Sequence, residues 1–403
     1  MEWRYSSIGG KSRGYRVLIT FLLAMVVVLM TSFLVVYLKG QQVWGVSNVI
    51  PWGQLITLDI YFIGLSAGAI IISSLSYVFK KEEYKPIGRI AVFMGLLFMV
   101  GAMLSVLLDL GRPEKFWRLF MYFYLNNMTS LFAINGIFYA GYIALMLLYL
   151  GLILENKMAL AVLVGTIDVF WAIAVHMGTG AIFGLIGSRE VLFSPIKPFE
   201  FLTAALTSGT SVLILAVVLT GRCTGWRIDA GLIRSLGRLL SGIIFVLLIL
   251  VFVDKLTHTY FPQREGAMFL LTGIYWWLFW VFQVGMGILV PLAILLHPRA
   301  GQRVKGVVVA AMSVIIGVLG ERAALVIPGT AYPQPLYPGH IEGIWGAPGF
   351  FPITLWETLL SLGIISFVGL LFVLGLKYLE ILPVQETPAS TPQPGGSRSP
   401  SQP

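Results

Sequence analysis

Apolar runs of about twenty residues recur along this chain from Arg16 almost to its end, and they constrain its fold more than any other feature. Each run is long enough to cross a ~30 Å hydrocarbon core as a helix. The runs are continuous, as in Val17–Val36 and Leu236–Val253, whereas strands of a membrane barrel alternate apolar and polar residues. Charged residues make up 11% of the chain, against roughly 25% in soluble domains. The sequence therefore predicts an all-α polytopic membrane protein.

Ten transmembrane helices are predicted, numbered here as spans 1 to 10 in chain order. Span 1 follows Arg13 and Arg16 but lacks a small-residue cleavage site, so we expect it to be retained. Residues 383–403 are rich in Pro, Ser and Gly and are predicted to form a disordered tail after a membrane domain of residues 1–382. The predicted spans are 16–37, 54–79, 87–108, 128–153, 159–180, 198–220, 235–256, 268–292, 304–326 and 353–376.

Lysine and arginine are distributed unequally between the two sides of the predicted membrane domain. With ten spans both termini share one side, which carries 18 Lys and Arg against 9 on the other. The positive-inside rule then places both termini in the cytoplasm. We expect the chain to lie in the cytoplasmic (inner) membrane. The net charge of +9 thus reports orientation in the lipid bilayer, and no nucleic-acid partner is predicted.

Residue types that hold metal clusters are scarce. The chain has one cysteine, Cys223, and no Cys/His cluster, so we expect no iron–sulfur cluster and no zinc site. Haem with two histidine ligands would require His176 and His258, because His297 and His340 lie in predicted loops. We expect no haem in this chain.

Several ionisable residues nevertheless fall within or at the ends of the spans. Each costs on the order of 2.5–3.5 kcal/mol to place at the centre of a bilayer and is therefore a functional candidate. All but the deeper Asp168 map to the half of the membrane opposite the termini. They are Asp59, Asp109, Asp168, His176, Asp254, His258, Glu321, Arg322 and Glu357.

Asp59 and His176 are the hardest of these to explain as structural residues. Asp59 precedes the small-residue stretch Gly64–Gly68, and His176 precedes Gly178 and Gly180, so space is available beside both. Asp109, Asp254 and Glu357 are carboxylates at helix ends. Contact with water at the lipid headgroups explains their positions as well as a functional role does. A packing role also stays open for His176 and Asp168.

Spacing sets further expectations for the charged residues. Asp254 and His258, four residues apart, should share one helix face. Glu321 and Arg322 are adjacent and should not face each other, so Arg322 is predicted to pair with an acid on another helix. Taken together, these groups suit a transporter, a proton channel, a haem protein or a site where a quinone exchanges protons, and the residues alone do not choose among them.

Short motifs recur in a fixed order along nearly the whole chain except the tail. The motifs are Pro51-Trp52-Gly53 with Asp59, Gly64–Gly68, Leu108–Pro113, Gly178–Gly184, Phe282-Gln283, Leu289–Ala293, His297–Arg299, Ala331–Pro333 and Tyr337–Gly339. In this order the set resembles the NrfD family of membrane subunits, and most closely its members linked to sulfite reductase.

The resemblance implies two four-helix bundles, spans 2–5 and 6–9, with spans 1 and 10 at the periphery. It also implies a subunit that binds menaquinone or ubiquinone without redox cofactors of its own. Its expected partners are an extracytoplasmic iron–sulfur subunit, a cytochrome and other membrane subunits of a complex in sulfur metabolism.

On this interpretation the quinone-binding residues are Asp59, Asp109, Arg112 and His176, and a proton path contains the remaining ionisable residues. Those residues are Asp168, Asp254, His258, Glu321, Arg322 and Glu357. The alternative function is an ion or proton transporter that works without redox partners, which the same acids would support.

Overall fold

A computed structural model describes residues 4–118, 121–122, 129–226, 229–260, 264–334 and 346–384. Ten of its helices are long and apolar enough to cross a membrane, which confirms the all-α polytopic prediction. Their observed bounds are Arg13–Lys39, Gln54–Tyr77, Glu82–Asp109, Leu131–Leu154, Met158–Gly184, Lys197–Thr224, Ala230–Tyr260, Leu278–Leu296, Val304–Ala331 and Leu355–Tyr378. These are spans 1 to 10 below.

The helix ends follow ordinary capping chemistry. The Ser12 hydroxyl accepts a hydrogen bond from the Tyr15 backbone N–H (3.1 Å) at the start of span 1. Proline stands at the start of spans 3 and 6, where a missing N–H costs nothing. Gly225, with φ of 76°, ends span 6 in the left-handed conformation that favours glycine.

The first and last described segments of the chain meet on one side of the helices. Strand β1 (Arg4–Ser6) pairs antiparallel with strand β2 (Leu382–Val384), and the side on which they lie is called here the terminal face. Strand β2 includes the first two residues of the predicted tail. Residues 385–403 lie outside the described residues, so their disorder stays a prediction.

Span 8 is the helix whose predicted start is wrong. The described chain forms a separate short helix, Arg264–Thr272, then turns at Gly273, where Trp276 N–H donates to the Gly273 carbonyl (3.1 Å). Span 8 itself begins at Leu278 and runs with wide π-helical turns to Leu289. The residues of the turn are aromatic and apolar, so a hydropathy profile does not reveal the break between the short helix and span 8.

Span 2 lies at the centre of the molecule and packs against spans 3, 5 and 6. Its Gly68 meets span 6 so closely that a Cβ there would lie 2.7 Å from the Cα of Gly209. Span 1 packs on span 10, and span 10 on span 3. The division into two four-helix bundles stays a prediction, but spans 2 and 6 join the two groups of helices into one packed body.

Candidate functional site

A buried carboxylate marks the half of span 2 that lies away from the terminal face. Asp59 is buried, and its Oδ1 has no hydrogen-bond partner within the described part of the chain. Asp109, at the end of span 3, and Tyr139, on span 4, are both near enough to interact electrostatically with it. A buried oxygen without a partner is costly, so it is a natural position for a proton or a ligand.

Uncharged polar groups from spans 4 and 5 join Asp59. The Asn135 amide donates to the Thr179 hydroxyl oxygen (3.0 Å), and the Tyr139 hydroxyl lies 2.8 Å from the same atom. The Asn135 Oδ1 has no partner among the described residues. These three side chains could not be singled out from sequence, because uncharged polar residues cost little free energy to place in a membrane span. The one signal in the sequence was an asparagine inside the apolar run of span 4.

These five residues, Asp59, Asp109, Asn135, Tyr139 and Thr179, are called here the Asp59 cluster. They come from four consecutive spans, so no single stretch of sequence contains them. Together they offer two carboxyl groups, one amide and two hydroxyls, which can donate or accept hydrogen bonds to a polar ring substituent and can exchange protons with it.

His176 on span 5 is fully buried, and its two ring nitrogens differ. Nε2 lies 2.7 Å from the Phe201 carbonyl oxygen, while Nδ1 has no partner in the described chain. A carbonyl oxygen can accept but not donate, so Nε2 carries the proton. In the neutral ring Nδ1 is then an unprotonated acceptor, which is the form that can take a proton.

Arg322 on span 9 approaches the same Phe201 carbonyl oxygen as His176. Its guanidinium carbon lies 4.0 Å from the centre of the Phe201 ring, and its Nη2 lies 3.5 Å from the same Phe201 carbonyl oxygen. Gly64 on span 2 leaves room for both, since a Cβ there would lie 3.4 Å from His176 Cε1 and 3.8 Å from Arg322 Nη2. His176 and Arg322, assigned to separate functional groups from sequence, thus form one junction.

The predicted partner of Arg322 is wrong. Its Nη1 lies 3.3 Å from Oε1 of the adjacent Glu321, and within the described residues no acid on another helix forms an ion pair with it. A guanidinium has five donors on a long, flexible stem, so it can pair with its neighbour while its plane stacks on Phe201.

An aromatic row leads from this junction towards the face opposite the termini. The rings of Phe201 and Phe183 stack with centres 6.1 Å apart, and Phe183 packs edge-on against Trp52 at 5.5 Å. Ile60 and Leu192 belong to the same buried apolar cluster. A wall of this kind beside polar groups is typical of sites for flat, apolar ligands.

Asp254 on span 7 is held in a closed ion network. Its carboxylate lies 3.3 Å from Lys197 Nζ, 2.8 Å from Lys255 Nζ and 3.5 Å from His258 Nδ1, and it accepts a hydrogen bond from Ser194. The prediction that Asp254 and His258 share a face is confirmed.

Two members of this network, Lys197 and its ion-pair partner Glu200, escaped sequence reasoning. They lie beside Pro198 at the predicted boundary of span 6, where charges are expected to face water. Their burial shows instead that the network belongs to the interior. Its described cations and carboxylates offset one another, although Glu200 Oε1 has no hydrogen-bond partner among the described residues. The network is therefore less suited than Asp59 to binding a neutral ligand.

The Glu357 carboxylate is also engaged in hydrogen bonds. Its carboxylate accepts hydrogen bonds from the backbone N–H groups of Gln54 (2.5 Å) and Gly45 (3.4 Å). Gln54 is the first residue of span 2, so Glu357 caps that helix from span 10 and complements the positive end of its dipole. This contact links the loop before span 2 to the far end of the chain.

Asp168 differs from Glu357 in its hydrogen bonding. It is fully buried on span 5, and neither carboxyl oxygen has a partner in the part of the chain that the structure describes. Tyr142 and Tyr149 on span 4 are near enough to interact electrostatically with it.

Arg112 is exposed in the loop after span 3, and among the described residues no ion pair joins it to Asp109. The backbone carbonyl of Asp109 instead accepts a hydrogen bond from the Gln41 side chain at 2.6 Å. A ligand role for Arg112 stays a prediction.

The family model described as polysulphide reductase, NrfD, matches residues 42–334 of the chain. An Archaeoglobus fulgidus protein named Hdr-like menaquinol oxidoreductase integral membrane subunit is 32% identical, over 95% of this chain and 98% of its own length. The menaquinone reductase integral membrane subunit of Nitratidesulfovibrio vulgaris is 27% identical over 86% of each chain. Protein NrfD of Escherichia coli is 24% identical over 69% of this chain and 94% of its own length.

Proposed function

Since this chain belongs to the polysulphide reductase NrfD family, we propose that it is the quinone-interacting integral membrane subunit of an electron-transfer complex. Two of its relatives are named for menaquinol or menaquinone chemistry, and both match most of the chain. The observation that carries the proposal is Asp59, a buried carboxylate with an unpartnered oxygen inside a polar cluster.

The proposed ligand is menaquinone or ubiquinone, bound beside Asp59 and Asp109 with His176 deeper along the same group of spans. Asp59 precedes Gly64, which faces His176, by five residues, or roughly 7.5 Å of helix. The polar groups of the Asp59 cluster suit the ring oxygens, and the aromatic row suits the flat ring.

Oxidation of a quinol releases two electrons and two protons, and reduction of a quinone consumes them. Asp59 and Asp109 provide carboxyl groups for proton exchange, and the free Nδ1 of His176 provides a further acceptor. The electrons pass to or from a partner subunit, for which we propose an extracytoplasmic iron–sulfur protein, with a cytochrome and other membrane subunits in the same complex.

The charge distribution supports the orientation of this complex. With 18 Lys and Arg on the side of the termini against 9 on the other, both termini lie in the cytoplasm and the Asp59 cluster lies towards the outside of the inner membrane. The motif resemblance to sulfite-reductase-linked members supports a role in sulfur metabolism.

Asp168 extends the proton-handling groups towards the terminal face, next to Tyr142 and Tyr149. Asp254, His258 and Arg322 are a weaker choice for a proton path, because the described contacts already pair them. Glu357 is weaker still, because backbone amides occupy its carboxylate. Glu321 pairs with Arg322 through Oε1, while its Oε2 has no partner among the described residues and stays open to a proton.

Quinone turnover by the assembled complex tests the proposal. Asp59→Asn and His176→Ala should each leave assembly intact and slow turnover, by roughly 10²-fold or more if the group transfers protons in the limiting step. Glu155→Gln is the matched control, because Glu155 is an exposed carboxylate on the terminal face paired with Lys157 (2.7 Å). Unchanged turnover in both Asp59 and His176 variants would reject the site.

Proton or ion transport without redox partners is the second candidate, favoured by the two unpartnered oxygens of Asp168. Proteoliposomes containing the purified chain distinguish the two functions. Dissipation of an imposed pH gradient without added quinone or partner subunits, lost in Asp168→Asn, would favour transport.

A further inference from the structure

A large cavity lies on the terminal face, far from the Asp59 cluster. Its volume is about 1250 Å³, and it is bounded by the N-terminal segment, the end of span 6, the end of span 10 and strand β2. A space of this size accommodates a large ligand. Nothing in the proposed quinone chemistry uses it.

The lining of the cavity changes character along its length. One part is formed by side chains of membrane spans, including Leu18, Leu219 and Phe372. Leu18 and Leu219 are 43% and 57% exposed on the outside of their helices, so this part opens towards the acyl chains of the bilayer. The other part is formed by Ser7, Gly9–Ser12 and Thr224, which lie where the spans end. An occupant must therefore have an apolar tail and a polar head.

Positive charge surrounds the polar end. Lys11 lines the cavity, and the Lys377 side chain approaches Gly10, where a Cβ would lie 3.2 Å from its Cδ. Arg222 lines a smaller cavity of about 230 Å³ that shares Trp226 with the large one. Among the described residues, neither lining contains an acidic residue and no ion pair involves these three cations. Lys377 Nζ lies over the rings of Tyr15 (6.0 Å) and Tyr378 (5.0 Å), and these contacts leave its charge uncompensated.

We infer that this cavity binds an anionic phospholipid, with its phosphate near Lys11 and Lys377 and an acyl chain between spans 1, 6 and 10. The charge argues for this occupant over a quinone, because cations attract an anionic phosphate more strongly than a neutral ring. The position agrees with it, since basic residues at the end of a span attract anionic headgroups of the adjoining leaflet.

Cys223 provides a reporter, because it is the one cysteine of the chain and it is exposed in the lining. The full chain is labelled there with a small fluorophore and reconstituted in phosphatidylcholine vesicles. Spin-labelled phosphatidylglycerol or spin-labelled phosphatidylcholine is then added as the quencher.

Phosphatidylglycerol should quench at several-fold lower mole fraction than phosphatidylcholine. Lys11→Gln should weaken this preference about fivefold, since each basic residue near the surface contributes about that factor to binding. Lys157→Gln, which removes an exposed lysine of the same face, should leave it unchanged. A label moved to the end of span 4, in Cys223→Ser with Gly151→Cys, should show little preference, because a Cβ at Gly151 meets nothing within 4 Å and the neighbouring Lys157 is already paired with Glu155.

Three results would overturn the inference. The first is equal quenching by the two lipids, and the second is a preference that survives Lys11→Gln combined with Lys377→Gln. The third is selective quenching that appears only after residues 385–403 are deleted, which would identify that segment as the occupant.

Discussion

Variants of Glu357 test whether its buried carboxylate stabilises the fold or transfers protons. In Glu357→Ala, the N–H groups of Gln54 and Gly45 lose the acceptor that now lies 2.5 and 3.4 Å away. Only the shorter contact has the geometry of a strong hydrogen bond. Its loss should cost about 1.5–3 kcal/mol, because its acceptor is charged. The favourable interaction with the helix N-terminus adds about 0.3–1 kcal/mol.

The expected destabilisation of Glu357→Ala is therefore about 2–4 kcal/mol. Glu357→Gln keeps an acceptor oxygen and loses the charge, so it should cost about 1 kcal/mol. Gly53→Ala offers an independent route, because a Cβ on Gly53 would collide with the Glu357 carboxylate and with the Phe351 ring. Its effect should be less than additive with Glu357→Ala, since both changes break the Glu357 contact and Gly53→Ala also displaces Phe351.

Equilibrium unfolding of the purified chain in mixed micelles measures these differences, with Glu155→Ala as the exposed control. Quinone turnover by Glu357→Gln in the assembled complex should stay near that of the unmodified protein. If Glu357→Ala is as stable as the unmodified protein, the capping interpretation is refuted. A stable Glu357→Gln variant without turnover would instead place Glu357 on the proton path.

Three further predictions concern packing and pH. Gly68→Val should prevent the close approach of span 2 to Gly209 and sharply lower the yield of monodisperse protein; a normal yield would contradict the contact. Arg322→Lys should lose the stacking on Phe201 and cost about 1–2 kcal/mol, with little further effect in a Phe201→Leu background; additive losses would argue against it. Burial raises the pKa of Glu190; the Gly266 amide opposes this shift and Glu265 reinforces it. The protonated Glu190 carboxyl therefore stabilises the fold below its ordinary pKa, and this stability is lost as pH rises through the raised value. Glu190→Gln should thus unfold at a higher temperature than the unmodified protein at pH 7 but not at pH 4, and the same difference in unfolding temperature at both pH values would refute the shift.

Much of the fold could be predicted from sequence because bilayer thickness fixes the length of each apolar run. Nine of the ten spans begin near their predicted positions. The start of span 8 could not be placed, because the turn at Gly273 lies in an aromatic stretch whose hydropathy matches that of the helices beside it.

The candidate site was harder to predict, for a physical reason. Span 2 is buried almost all round, so its apolar pattern does not show which neighbour each residue faces. Asp59 and His176 stood out by their charge, whereas Asn135 and Tyr139 did not. The meeting of His176 with Arg322 depends on how spans 5, 6 and 9 pack, which no spacing along one helix reveals.

The central claim is that the quinone binds at the Asp59 cluster, and photoaffinity labelling tests it most directly. The assembled complex is illuminated with an azido-quinone, and the labelled peptides are identified by mass spectrometry. We predict labelling of this chain on spans 2, 4 and 5 near Asp59, Asn135 and His176, suppressed by excess unmodified quinone and reduced in Asp59→Asn. Competable labelling confined to spans 6–9, or to the cavity on the terminal face, would contradict the claim.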